Sequence, residues 1–252
     1  MSMLRPEYCP HGERMPSDVD ASFFIPCYNE ENNILRVIEK LAEASARLGL
    51  TYEILVWDDA SQDRTAEVVE GYQKVHPDVP VRLFVNAVNR GPARNFVEGA
   101  FHARGEHYRL VCGDDVESME TILAILGRRG EADILIPYHA SIGGRKLYRH
   151  LISRLYTFLV NLCAGQSLHY YNGCPLLRTY DVRRFHVEAS GFGYQAEFVT
   201  RLLYEGRSYV EVPIIPEDRE GSGALTFRNF LSVGHTLMKI SFRRLRVYLF
   251  KW

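Results

Sequence analysis

Three carboxylates stand close together near the middle of the chain, directly after an apolar run. The run at residues 108–112 is followed by Gly113 and then by Asp114, Asp115 and Glu117. Mg²⁺ and Mn²⁺ prefer oxygen ligands, and in proteins they commonly take one or two carboxylates together with substrate phosphates. Asp115 and Glu117 point to the same side if extended geometry persists. These acids therefore indicate a metal site, although an aspartate that caps the next helix would give the same local pattern.

Two further polar segments follow apolar runs in the same way. Asp58 and Asp59 come after the run at 52–57, where Asp58 could accept hydrogen bonds from a base or a ribose. Arg90 and Gly91 offer a cation and a flexible turn to a diphosphate. The aspartates could instead cap helices, and the arginine could be a solvated surface residue. Neither segment by itself distinguishes ligand binding from these structural roles. No glycine-rich phosphate loop of the form GxxxxGK[ST] occurs in the sequence.

The elements that must position these residues alternate between strands and helices. Apolar runs at 22–26, 52–57, 81–85, 108–112 and 133–137 predict five short strands. The intervening segments show helical spacing; in the third, Pro92 begins a helix whose apolar face includes Phe96 and Phe101. This alternation predicts right-handed βαβ crossovers, and hence an α/β fold with a mostly parallel sheet flanked by helices. Ligands of such sheets bind beyond the carboxyl ends of the strands, where the acids and Arg90 stand.

The pattern changes after about residue 140. Residues 147–162 predict an amphipathic helix, and 172–173 predict a turn between short extended pieces. Further along, 195–204 predict a helix, 209–214 an extended segment and 227–252 a terminal helix. No linker or internal repeat interrupts this part of the chain. We therefore expect an N-terminal tail at 1–20, one domain at 21–226 and a basic amphipathic helix at 227–252.

Composition excludes several classes of protein. The 252 residues include 30 basic and 31 acidic side chains, so the net charge of −1 argues against a nonspecific nucleic-acid binder. The 5 cysteines are scattered without a C-x-x-C pair, which argues against a disulfide framework or a zinc ribbon and favours a reducing cytosol. The N-terminus lacks the apolar core of a signal peptide, and the longest uncharged run, at 155–177, is too polar for a membrane span. A cytoplasmic protein is expected.

Several motifs together resemble those of a known family. FIPCYNEENN at 24–33, VWDDASQDRT at 56–65 and NRGPAR at 89–94 are similar to successive motifs of inverting family-2 glycosyltransferases with the GT-A fold. Within that family they resemble the dolichyl-phosphate and polyprenyl-phosphate mannose and glucose synthases, whose later blocks are similar to 172–181, 194–198, 210–213 and 218–222. The resemblance covers roughly residues 21–230 and implies a GT-A fold and a nucleotide-diphosphate sugar donor, either a UDP-sugar or a GDP-sugar.

The resemblance also implies roles for particular residues. Pro26, Tyr28, Glu30 and Asp58 would hold the nucleoside, and Arg90 and Arg94 would face the phosphates or the sugar. The full set of residues expected at the donor is Pro26, Tyr28, Glu30, Asp58, Asp59, Arg90, Gly91, Arg94, Asp114, Asp115 and Arg219.

The metal motif of the family departs from its usual form in this chain. The Asp-x-Asp triplet falls on residues 113–115, so that Gly113 replaces the first aspartate. The resemblance implies that Asp115 is the principal ligand of Mg²⁺ or Mn²⁺, aided by Asp114 or Glu117. Such a cation would neutralise the diphosphate as it leaves.

The class of acceptor is indicated by a pair of acids that residues 193–198 lack. Transferases with hydroxyl acceptors commonly have a Glu-Asp pair as general base, whereas residues 193–198 contain only Glu197. A phosphate acceptor is already anionic and needs cations rather than a base. The arginines that could supply them are Arg145, Arg149, Arg154 and Arg219, each of which could equally be a solvated surface residue.

The terminal segment 227–252 contains no acid and interleaves basic and aromatic residues. A helix of this composition can lie on an anionic membrane, or it can pack on the body of the protein or in a dimer. We therefore expect a metal-dependent transferase that moves a sugar to a lipid phosphate. Two alternatives stay open: a transferase of the same fold with a hydroxyl acceptor, for which Glu197 would be the base, and a donor-binding protein without turnover, which Gly113 makes conceivable. The sugar, the nucleotide and the oligomeric state are not indicated.

Overall fold

The chain forms an α/β structure in which strands and helices alternate along the first half. The computed structural model describes residues 17–140, 147–184, 193–215 and 227–250. The first half contains β1 (Ala21–Cys27), α1 (Ile34–Arg47), β2 (Tyr52–Asp58), α2 (Thr65–Val75), β3 (Val81–Val85), α3 (Pro92–His102), β4 (His107–Leu110), α4 (Met119–Leu126) and β5 (Ile134–His139). The second half contains α5 (Leu147–Ala164), β6 (Leu176–Arg178), α6 (Thr179–Arg183), α7 (Tyr194–Tyr204), β7 (Tyr209–Ile214) and α8 (Phe227–Phe250).

The strands form one sheet of seven strands in the order β3-β2-β1-β4-β6-β5-β7. All neighbouring pairs are parallel except those that involve β6, which runs antiparallel to β4 and to β5. The predicted mostly parallel α/β sheet is therefore confirmed. The sequence predicts extended structure beside the turn at 172–173 but not the antiparallel pairing of β6, because three residues carry no periodicity of their own.

The core lies on both faces of the sheet because successive strand residues point to opposite sides. Phe23 and Ile25 of β1 face the layer formed by α1, α2 and α4, whereas Phe24 faces the layer that contains α3, α5, α7 and α8. One predicted core position is wrong: Phe101, near the end of α3, is 62% exposed. Helical spacing alone does not show where a helix leaves the sheet.

The terminal helix is attached to the second layer. Thr236 and Ile240 of α8 are buried, and α8 packs against α5 and α7. Among the described helices, none has a stretch long and apolar enough to cross a bilayer. The division into a tail, a domain and a terminal helix stays a prediction, as most of the tail, like Arg145, Arg219 and residues 251–252, lies outside the described residues.

Candidate active site

The carboxyl ends of the parallel strands bring the predicted polar segments to one edge of the sheet. Cys27 pairs with Asp58, and Asp58 pairs with Val85, so β1, β2 and β3 end level with one another. The N–H group of Val111 donates to the carbonyl of Phe24, which places the segment after β4 beside the end of β1. The loops after the four strands therefore adjoin one another, as the strand pattern predicts.

The first two loops are joined to each other by hydrogen bonds. Asn29 has a left-handed backbone conformation (φ 59°), its N–H group donates to Ser61 Oγ at 3.0 Å, and its Oδ1 accepts from the N–H group of Gln62 at 2.8 Å. The N–H group of Glu30 donates to Thr65 Oγ1 at 2.9 Å. These bonds hold the loop after β1 and the loop after β2 in one fixed arrangement.

The residues expected at the nucleoside lie around this arrangement. Asp58 is 2% exposed and its Oδ1 accepts from the N–H group of Ser61 at 2.8 Å, so the carboxylate shapes its own loop. Pro26 is half-buried in β1, and the ring of Tyr28 is 46% exposed at the rim. The Glu30 carboxylate accepts from Asn33 Nδ2 at 2.9 Å. The structure thus brings these four predicted residues together at one edge.

Asp59 organises the third loop. Its two carboxylate oxygens accept from the N–H groups of Arg90 and Gly91, each at 2.8 Å, and one also accepts from Asn86 Nδ2 at 2.7 Å. Burial acts to raise the pKa of Asp59, but the hydrogen bonds from Arg90, Asn86 and Gly91 outweigh burial and lower this pKa below its ordinary value. Asp59 therefore positions the turn that carries Arg90.

The third loop leads directly into α3. Gly91 has φ +82°, a conformation that favours glycine, and Pro92 begins the helix. The guanidinium of Arg90 forms an ion pair with Glu98 at 2.8 Å, whereas Arg94 is exposed on the first turn of α3. A helix N-terminus beside the exposed Arg94 favours an anionic ligand.

Gly113 stands where the family motif has its first aspartate. A β-carbon at this position would lie 3.2 Å from Cys27 Sγ, 3.2 Å from the carbonyl oxygen of Pro26 and 3.5 Å from Glu30 Cγ. A side chain here would therefore point at the end of β1 and at Glu30, and its neighbours would have to move by a few tenths of an ångström.

Asp115 faces two cations of α1. It has a left-handed backbone conformation (φ 58°), and its carboxylate contacts Arg36 Nε at 2.9 Å and Lys40 Nζ at 2.8 Å. Burial acts to raise the pKa of Asp115, while the hydrogen bonds and charges of Lys40 and Arg36 lower it, and the net effect is a lowered pKa.

Glu117 faces a third cation, which is buried in the sheet. Arg109 of β4 is fully buried, its Nη1 donates to Glu117 Oε2 at 3.1 Å, and its Nη2 donates to Oε1. Burial acts to lower the pKa of Arg109, but the adjacent Glu117 carboxylate raises this pKa above its ordinary value. Lys40 Nζ also donates to the carbonyl of Glu117 at 2.6 Å. Asp115 and Glu117 are thus both held by cations of the protein itself.

Sequence reasoning missed these three cations. Arg109 stands inside a predicted strand, and a charged residue in a buried strand needs a partner of opposite charge. Its position in the sequence therefore indicates a buried ion pair. Arg36 and Lys40 are four residues apart on α1 and give no such signal, because many exposed helix faces carry the same pattern.

Residues 113–117, which we call the acid turn, fit a divalent cation only in combination with a substrate. Within the described residues, no group of three or more His, Cys, Asp or Glu side chains is placed to hold a metal ion. Mg²⁺ usually takes only one or two protein carboxylates together with phosphate oxygens and waters. The buried carboxylate oxygens of Asp114, between Gly113 and Asp115, are compatible with such a shared site.

The predicted acceptor residues are spread more widely. Arg154 is exposed on α5, and Arg149 lies in the same helix. Glu197, in the first turn of α7, accepts from Arg243 Nη2 of α8 at 3.0 Å, and its side chain is 14% exposed. The one candidate general base named from the sequence is therefore engaged by a cation of the terminal helix.

The mostly parallel sheet with its polar carboxyl edge has the architecture of an α/β enzyme, whose ligands bind at that edge. The family described as "Glycosyl transferase family 2" matches residues 22–183, and the chain belongs to this family.

Relatives extend the similarity beyond the matched domain. The chain is 29% identical over 258 residues to a dolichyl-phosphate beta-glucosyltransferase of Drosophila melanogaster, covering 94% of this chain and 78% of the relative. It is 24% identical over 220 residues to an undecaprenyl-phosphate 4-deoxy-4-formamido-L-arabinose transferase of Klebsiella pneumoniae, covering 86% of this chain and 66% of that one.

Solved structures share the fold. A glucosyl-3-phosphoglycerate synthase from Mycobacterium tuberculosis in complex with UDP superimposes with a TM-score of 0.67 at 17% identity, covering 89% of this chain and 80% of the other. A mannosyltransferase from Pyrobaculum calidifontis in complex with GDP-Man and Mn²⁺ superimposes with a TM-score of 0.63 at 16% identity. The match covers 92% of this chain and 68% of the mannosyltransferase chain. The expected GT-A architecture is confirmed by these likenesses.

Proposed function

We propose that this chain transfers a sugar from a nucleotide-diphosphate sugar to a polyprenyl or dolichyl phosphate, with inversion at the anomeric carbon. Its similarity to lipid-phosphate transferases over most of the chain supports this acceptor class. The observation that carries the choice of a phosphate rather than a hydroxyl acceptor is the pair formed by Glu197 and Arg243. The carboxylate would have to leave this ion pair before it could contact an acceptor hydroxyl, whereas a phosphate acceptor needs no base.

The donor would lie across the carboxyl edge. The nucleoside would contact Pro26, Tyr28, Glu30 and Asp58, whose loops are held together by the bonds of Asn29 and Glu30. The diphosphate would lie towards the turn that Asp59 organises, with Arg90, Arg94 and the N-terminus of α3 supplying positive potential.

A divalent cation, Mg²⁺ or Mn²⁺, would be held by Asp114 and Asp115 together with donor phosphates, and would neutralise charge on the departing diphosphate. Asp115 would exchange its ion pairs with Arg36 and Lys40 for the cation when the donor binds. The Mn²⁺ present in the complex of the archaeal mannosyltransferase supports this proposal. Glu117 would support the turn through Arg109 rather than act as a third ligand.

The acceptor phosphate would attack in line. One of its oxygens forms the new bond to the anomeric carbon, and the bond from that carbon to the β-phosphate oxygen of the nucleotide breaks. No proton has to be removed, because the attacking oxygen is already anionic. Arg149 and Arg154 of α5, with Arg145 and Arg219, would stabilise the acceptor charge.

A lipid acceptor requires the enzyme to reach a membrane. We propose that the protein works at the cytoplasmic side and that the basic helix α8 lies at the bilayer surface as a peripheral contact.

The experiment is a transfer assay with UDP- and GDP-sugars, Mg²⁺ or Mn²⁺, and undecaprenyl phosphate in detergent, read as labelled sugar in the organic phase. Label in the lipid fraction with one donor supports the proposal. Transfer only to a soluble saccharide or protein hydroxyl would favour the hydroxyl-acceptor alternative. Donor binding without any transfer or hydrolysis would favour a protein that has lost turnover.

A further inference from the structure

The outer side of α5 is apolar, although this helix is at the protein surface. Leu151, Leu155, Phe158 and Leu162 follow one another at helical spacing and are 57%, 58%, 61% and 62% exposed. The opposite side of the helix is buried through residues such as Val160. An amphipathic helix of a water-exposed protein turns a polar side outwards, and α5, predicted to be amphipathic, does not.

The terminal helix repeats the same arrangement. Met238, Phe242, Leu245 and Leu249 of α8 are separated by four, three and four residues and are 58%, 71%, 52% and 60% exposed. Ile240, on the other side of α8, is fully buried in the core. α8 is therefore anchored to the protein by one side while it exposes a second apolar stripe.

The two stripes adjoin each other. Arg244 Nη1 of α8 donates to the carbonyl of Leu162 at the end of α5, at 2.8 Å. Leu162 and Leu245, one from each stripe, line the same open cavity of about 650 Å³. We call the surface formed by these eight apolar residues the α5/α8 face. Eight exposed apolar side chains in two adjoining stripes differ from the single exposed leucines that are normal on a protein surface.

Charge is divided unevenly between these two helices and the rest of the chain. α5 and α8 together contain no Asp or Glu, but they carry six arginines and one lysine. Since the whole chain has a net charge of −1, the remainder carries −8. Arg154, Arg244 and Arg246 are exposed beside the apolar stripes. An apolar surface bordered by cations is complementary to an anionic lipid bilayer.

We propose that the α5/α8 face lies on an anionic bilayer surface, with the apolar stripes at the level of the acyl chains and the arginines at the headgroups. This inference rests on the proposed lipid acceptor and adds α5, which supplies half of the apolar contact. A second copy of this chain fits the face less well, because twofold pairing would set the same cationic face against itself. Seating on α5 would also bring Arg154 to the headgroup level, where a lipid phosphate lies.

The test is flotation of the full chain with vesicles of phosphatidylcholine, with and without phosphatidylglycerol. We expect binding to the anionic vesicles that weakens with salt. Replacing both Leu155→Gln and Phe158→Gln should lower the partition coefficient at least about tenfold. Arg246→Gln should lower it about fivefold. The matched control is Phe101→Gln, an equally exposed aromatic on α3, which should leave partitioning unchanged.

A second measurement separates this inference from the proposed function. Transfer to farnesyl phosphate in solution, without vesicles, should be unchanged in the α5 double variant. If wild-type chain transfers to farnesyl phosphate but does not float, or if the α5 variant floats as well as wild type, the face does not contact lipid. A dimer in light scattering that the α5 variant dissociates would assign the face to a second copy instead. Flotation without transfer to any prenyl phosphate would preserve the membrane face and overturn the proposed acceptor.

Discussion

The buried guanidinium of Arg109 donates to both carboxylate oxygens of Glu117, eight residues further along the chain. The arginine belongs to β4 and the glutamate to the acid turn, so this pair ties the turn to the centre of the sheet. The side chain of Arg109 is 1% exposed and that of Glu117 19% exposed. The strength of such a pair depends on geometry, because both charges lose water when the protein folds.

Removing Glu117 should destabilise the protein strongly. Glu117→Ala leaves Arg109 buried without its carboxylate, and we expect a loss of about 3 kcal/mol in the free energy of unfolding. Urea unfolding followed by circular dichroism measures this. Glu39→Ala, at an exposed position of α1, is the matched control. If Glu117→Ala and Glu39→Ala lowered the free energy of unfolding by the same amount, the pairing would be unimportant. The double variant Arg109→Met and Glu117→Gln removes the buried charge, so it should recover part of the stability lost in Glu117→Ala.

Asp59 should contribute stability that depends on pH. Its pKa is lowered in the folded state below the ordinary value of 3.8, so its contribution is present above pH 3.8 and is lost as the pH falls through the folded pKa. Asp59→Asn should therefore reduce stability at pH 7 and flatten the loss of stability between pH 4 and pH 2. Chemical unfolding across this pH range, with the exposed Asp78→Asn as control, measures the difference. If Asp59→Asn leaves the dependence of unfolding free energy on pH unchanged, the Asp59 carboxylate does not contribute pH-dependent stability.

Donor binding should depend on a divalent cation and on Asp114. A nucleotide sugar that binds only the folded chain raises the Tm of the protein by mass action. When the free ligand concentration is a hundred times Kd, the free energy of unfolding increases by about 2.7 kcal/mol. We expect a UDP- or GDP-sugar to raise Tm more with Mn²⁺ or Mg²⁺ than with EDTA. Asp114→Asn should abolish this metal-dependent part, whereas Asp78→Asn should keep it. Equal shifts with EDTA and with metal would mean that the protein cations alone bind the diphosphate.

Glu197 should be dispensable as a proton acceptor. Loss of a general base usually lowers kcat by about 10²–10⁴-fold, whereas Glu197→Gln preserves a hydrogen bond to Arg243 and should leave transfer to a lipid phosphate within about threefold of wild type. The lipid-transfer assay of both proteins at several pH values measures this. A drop of a hundredfold, with a changed pH profile, would instead identify Glu197 as a base and favour a hydroxyl acceptor.

Much of the architecture could be predicted because local patterns of apolar residues determine it. The five strands of the first half and their intervening helices follow from apolar periodicity, and the carboxyl-edge position of Asp58, Arg90 and Asp115 follows from strand direction. The antiparallel direction of β6 could not be predicted in this way, because the pairing of a strand of three residues is decided by its partners β4 and β5.

Within the candidate site, residue types could be predicted but not their partners. The resemblance places Asp59 among the donor ligands, and the structure adds that it accepts from the backbone of Arg90 and Gly91. The resemblance makes Asp115 a metal ligand, and the structure adds its contacts with Arg36 and Lys40 of α1. Glu197 is a candidate base by residue type, and the structure adds its contact with Arg243. These contacts join segments far apart in sequence, so no local pattern contains them.

The sequence by itself determined the class of fold, the family and the edge at which chemistry takes place, because strand and helix periods and motif spacing are properties of neighbouring residues. Tertiary structure alone decided which charges pair and which apolar residues stay exposed. Arg36 and Asp115 are separated by 79 positions and meet only because α1 packs beside the acid turn. In the same way, the sequence predicts that α5 is amphipathic, and only its packing through Val160 leaves Phe158 facing outwards. Distant pairing and choice of buried face both depend on how whole elements pack, which is a global property of the chain.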